Sequence, residues 1–143
     1  MKVKSEEVRA KLKALWPNLR HVWLFDRDYW LPFRADVEAA LAESKVDRMR
    51  FLPSVADCDD FALQLHADIK RVRSFMAACG QIPREQWAPW AFGETMGRKF
   101  AGSPRVHAIN ICVTSESVLL IEPQKDAIWE AHPERDDPFF VKM

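Results

Sequence analysis

Three residues of this 143-residue chain have the types and the order that nucleophilic chemistry requires. Cys58 lies in Asp57-Cys58-Asp59-Asp60-Phe61-Ala62, where a long helical period begins. A thiolate in a first helical turn is favoured by the helix dipole and by free backbone N–H groups. The same N–H groups would stabilise an oxyanion formed beside the sulfur. His107, in Val106-His107-Ala108-Ile109-Asn110, opens a strand-like run and is the candidate base. Glu122, in Leu120-Ile121-Glu122-Pro123-Gln124, ends the next run and is the candidate acceptor that orients the base. A hairpin turn centred between Ser115 and Glu116 sets His107 opposite Gln124, with Glu122 its diagonal neighbour on the same side. A one-residue slip would send Glu122 to the other face. Each residue also has a plainer reading: Cys58 as a small core cysteine, His107 as a rim histidine, Glu122 as a solvated carboxylate.

Asp57, Asp59 and Asp60 surround Cys58 with hard oxygen donors, the type calcium prefers, although no EF-hand loop follows. Alternatively, Asp57 caps the helix and the other two complement its dipole. Three carboxylates would hold the thiol in its less reactive neutral form, and a divalent cation would relieve that. The expected cofactor is therefore Ca2+ or another divalent ion. Cys79 and Cys112 fall on apolar periods and read as core, and no zinc spacing exists. His66 reads as a surface or boundary residue. Trp87 and Trp90 either wall a cleft or pack a loop onto the body.

The elements that would position these groups follow from periodicity. Ser5 to Trp16 reads as a helix with Ser5 as its cap and Val8, Leu12 and Leu15 in one stripe. His21 to Phe25 reads as a strand and Asp36 to Glu43 as a short helix. From Asp57, the series Phe61, Leu65, Ile69, Val72, Met76 and Cys79 predicts a long helix that ends at Gly80. Residues 81–104 hold three of the four glycines and show no period, so they read as a long loop of the kind that serves as a lid. Val106 to Thr114 and Val118 to Ile121 predict an antiparallel hairpin. Asp126 to Glu130 and Phe139 to Met143 are further short strands. Helices followed by a small antiparallel sheet indicate an α+β fold in one domain, residues 1–143.

Composition narrows the partners. Twenty-one Lys+Arg balance 21 Asp+Glu. Neither a nucleic-acid binder nor a polybasic membrane module is expected without a basic excess. Three cysteines make a poor disulfide framework and suit a reducing compartment. No apolar run approaches the roughly 18 residues that span a bilayer, and no signal peptide opens the chain. A cytoplasmic protein is expected.

A cysteine at the start of the central helix, then a histidine on a strand, then an acid on the next strand is the layout of the papain and transglutaminase superfamily. The stretches quoted above resemble the papain-like cysteine protease domain at the C-terminus of a mushroom agglutinin and its bacterial and phage relatives. The likeness runs over residues 20–130, without the lectin part. The resemblance implies a papain-like (transglutaminase-like) core, a central helix packed on a small antiparallel sheet. It implies a calcium-dependent peptidase acting on a peptide or protein through an acyl-enzyme. In it, Cys58 would be the nucleophile, His107 the general base and acid, Glu122 the orienter, and Asn110 a further metal ligand. Two other readings stand beside it: an acyltransferase of transglutaminase type, and a non-catalytic phage or bacterial binding or assembly module that keeps the fold.

Overall fold

The structure is a computed structural model that describes residues 1–143. It has three α-helices and two sheets, so the α+β class expected from the sequence holds. Strand β1 (Lys2–Lys4) runs directly into helix α1 (Ser5–Leu15). Strands β2 (His21–Trp23) and β3 (Asp28–Trp30) follow, then α2 (Arg34–Glu43) and the long α3 (Cys58–Ala78). The rest is sheet: β4 (Phe92–Arg98), β5 (His107–Val113), β6 (Val118–Glu122), β7 (Ala127–Glu130) and β8 (Asp137–Lys142). Ser5 is the first helical residue rather than the cap. The Lys4 N–H before it donates to the Glu7 carboxylate at 3.0 Å, which closes the helix start.

The main sheet has six strands in the order β2-β8-β4-β5-β6-β7, antiparallel except for the parallel β2–β8 pair. β1 and β3 form a separate antiparallel pair. β5 and β6 are apolar without alternation because both faces are covered. Ile109, Ile111, Val113 and Leu120 pack with Val8 and Leu12 of α1. Cys112, Leu119 and Ile121 pack with Phe61, Leu65 and Ile69 of α3 and with Val37 and Leu41 of α2. The expected register is the one formed: Asn110 pairs with Ile121 and Val113 with Val118.

Two expectations fail. The segment read as a loop and lid contains β4, which lies between β8 and β5 near the middle of the sheet. Its glycines are there for close approach rather than for a turn. A Cβ on Gly93 would overlap the Lys142 carbonyl, and one on Gly97 would lie 2.5 Å from the Asp137 carbonyl. The apolar series of α3 also outruns the core. Phe61, Leu65 and Ile69 are buried, but Val72 and Cys79 are exposed, so Cys79 is not a core residue. Gly80 ends the helix in the left-handed conformation, as its position predicts. No helix is long and apolar enough to cross a membrane.

Candidate functional site

The first turn of α3 carries Cys58, half-buried with a free thiol, and the acids around it. The acids divide into two kinds. Asp60 acts as a cap, its Oδ2 accepting the Asp57 N–H at 3.1 Å. Asp57 in turn accepts the N–H of Ser54 at 3.3 Å and thereby ties the preceding loop to the helix. Asp59 is more exposed. A hydrogen bond shared with the Asp57 carboxyl, together with partial burial and the nearby acid charges, raises its carboxyl above the ordinary aspartate range.

Ligand atoms of Asp57, Cys58 and Asp59 lie within 4.8 Å of one another. This group falls short of a calcium shell, which takes about six to eight oxygens. It offers two carboxylates and a soft thiol, while Asp60 is engaged by the backbone. Asn110, the further ligand that the resemblance implied, is fully buried in the joint between helix and sheet. Its amide donates to the carbonyls of Ala62 (2.8 Å) and Gly93 (3.0 Å) and so holds α3 on β4 and β5.

His107 and Glu122 come together as the register requires. His107 Nε2 lies 2.5 Å from Glu122 Oε2. The other oxygen, Glu122 Oε1, accepts the Gln124 N–H at 3.2 Å, so both carboxylate oxygens are held. This leaves the Nδ1 side of the ring open to another partner. Cys58 Sγ makes no hydrogen bond to that ring; the bonded pair is His107 with Glu122. The carboxyl of Asp126, at the turn after β6, is raised by burial and by the charge of Asp47.

The most enclosed ionic group is one the sequence did not reveal. His66, expected at the surface, is 6% exposed. Its Nδ1 lies 2.8 Å from Glu94 Oε1, and Lys142 Nζ lies 3.3 Å from the same oxygen. The group therefore joins α3, β4 and β8. Burial works to raise the Glu94 carboxyl, but the His66 hydrogen bond and the Lys142 charge outweigh it, and the group titrates below the ordinary value. The only sequence signal was a carboxylate between Gly93 and Thr95 in a stretch without a period.

No protein-family model matches the chain, and no curated protein matches it. Solved structures do match its fold. A structure described as a PSL1a-E64 complex aligns with a TM-score of 0.75 and 22% identity, over 99% of this chain and 51% of that one. A crystal structure of Polyporus squamosus lectin bound to the human-type influenza-binding epitope Neu5Aca2-6Galb1-4GlcNAc gives 0.74 and 21%, over 99% and 49%. The chain thus spans about half the length of these proteins. At this identity the likeness establishes the fold alone. The assignment made from the quoted motifs is corrected: neither a family model nor a curated relative links the chain to cysteine proteases, and one of these solved structures is described as a lectin complex. The peptidase reading, its peptide substrate, its calcium dependence and its phage or bacterial kinship find no support in these matches.

Proposed function

We propose that this chain is a non-catalytic ligand-binding module, and that the ligand engages the end of the sheet where α3 begins. The observation that supports this reading is the fold match over 99% of the chain to two ligand complexes, one of them a lectin bound to a sialylated glycan. Within the chain, Cys58, His107 and Glu122 are the residues proposed to meet the ligand. His107 and Glu122 are partly exposed, with side chains 25% and 18% accessible. A histidine held by a carboxylate presents its remaining ring nitrogen at a fixed angle, which suits recognition as well as it suits chemistry.

The test is an amide NMR titration of the whole chain with E64 and, separately, with Neu5Aca2-6Galb1-4GlcNAc. We expect saturable, reversible shifts around Cys58, His107 and Glu122 with one of the two ligands, and no covalent adduct on Cys58 by intact-mass analysis after exposure to E64; rapid, selective alkylation of Cys58 by E64 overturns the reading. Absence of shifts at these residues with both ligands, or turnover of a peptide library under the same conditions, overturns the reading.

A further inference from the structure

The largest cavity lies well away from Cys58. It runs along the C-terminal half of α3 and has a volume of about 570 Å3. That is within the range of about 300–1,000 Å3 usual for small-molecule sites. Lys70, on its wall, is 12 residues beyond Cys58, roughly 18 Å along the helix at about 1.5 Å per residue.

The walls combine an apolar surface with excess positive charge. Ala77, Ile82, Trp87 and Pro89 provide the apolar part. Trp87 is 49% exposed, yet its ring is fixed: its Nε1 donates to the Ile82 carbonyl at 3.3 Å, and the Arg84 guanidinium lies 5.8 Å from the ring centroid. An exposed aromatic ring held in place is a ready stacking surface. The charged lining is Lys70, Arg73 and Asp26. Arg73 is half-buried and makes no ion pair. It donates to the carbonyls of Ala88 (3.1 Å) and Gln86 (2.9 Å) and lies 5.5 Å from the centre of the Trp30 ring. Asp26 faces Lys70 at 3.5 Å, with both side chains at least 40% exposed, so this pair is weak and readily exchanged. The cavity therefore holds one more cation than it neutralises.

We propose that this cavity binds a small carboxylate carried on an apolar ring, with the ring against Trp87 and Ile82 and the carboxylate on Lys70. Arg73, locked to two carbonyls, contributes its field rather than a direct contact. The proposal does not depend on the function assigned to the Cys58 end.

The experiment titrates the whole chain with indole-3-acetate, with indole and tryptamine as the neutral and cationic comparators, and follows amide and Trp side-chain NMR signals. Saturable shifts are expected at Lys70, Ser74 and Trp87 with indole-3-acetate, and tryptamine should bind about tenfold more weakly or worse. Lys70→Gln, a change at an exposed position, should weaken indole-3-acetate about tenfold while leaving indole unchanged, and Lys70→Arg should retain binding. Equal binding of tryptamine, shifts confined to other residues, or an unaltered affinity in Lys70→Gln would each overturn the proposal.

Discussion

His107 Nε2 and Glu122 Oε2 lie 2.5 Å apart across the β5–β6 hairpin, and this bond links the two strands at the open end of the hairpin. It forms because the hairpin turn fixes the register, which places the two side chains as diagonal neighbours. The pair is partly exposed, so water competes with it and its worth is modest. Glu122→Gln keeps the size and removes the charge. We expect a loss of about 1 kcal/mol, read from urea unfolding. Combined with His107→Ala, the two effects should not add, since they break one bond. Additive losses would mean that the pair is not formed in solution.

Glu94 sets the acid limit of the fold. Its folded carboxyl titrates below the ordinary value of 4.5, held there by His66 and Lys142 against the opposing effect of burial. The unfolded chain therefore takes up that proton first as the pH falls. The stability from this group is fully present above about 4.5 and is lost as the pH drops through the lower folded value. Glu94→Gln should cost about 2 kcal/mol at neutral pH, because the amide keeps an acceptor oxygen but removes the charge that balances Lys142 and strengthens the bond to the buried His66. It should also flatten the acid limb of the stability curve. An acid limb identical to that of the parent chain would exclude Glu94 as its source.

The three cysteines should react in sharply different ways. Cys79 is exposed, Cys58 is half-buried, and Cys112 is fully buried with its thiol pushed far above the ordinary range by desolvation. Brief treatment of the native chain with iodoacetamide should modify Cys79 and Cys58 and spare Cys112, with the sites identified by peptide mass mapping. Urea should expose all three. Modification of native Cys112 at a rate similar to Cys79 would mean that the sheet opens more easily than its two-sided core implies.

Strong periodicity and turn chemistry carried most of the readable information. The span of α3, its Gly80 stop and the hairpin register are all local features, and they formed as expected. What escaped depends on neighbours distant in sequence. β4 has no apolar period because Gly93 and Gly97 are small for the sake of β8, whose contacting residues Asp137 and Lys142 are 40 and 49 residues away. His66 looked peripheral until Glu94 and Lys142 were brought to it. Cys79 kept the helical phase of core residues but lies where α3 has passed the edge of the sheet. The pairing of His107 with Glu122 was legible; the use to which it is put was not, since one fold hosts many functions.

The same long-range dependence gives the sharpest stability contrast. Gly80 has φ of +70° and open space around it, so Gly80→Ala meets only the left-handed backbone penalty, about 1 kcal/mol. Gly93 has an ordinary strand conformation, but the Lys142 carbonyl occupies the place of its Cβ. Gly93→Ala must push β8 away from β4, which also draws Lys142 from Glu94 and disturbs the carbonyl that holds Asn110. We expect a loss of about 3 kcal/mol or more, from overpacking at a backbone that cannot yield. Unfolding midpoints of the two variants, measured side by side, decide it. If Gly93→Ala were the milder of the two, the strand order β8-β4-β5 would not be the one the protein adopts. If it is the more severe, the residue whose type most suggested a loop is the one that fixes the middle of the sheet.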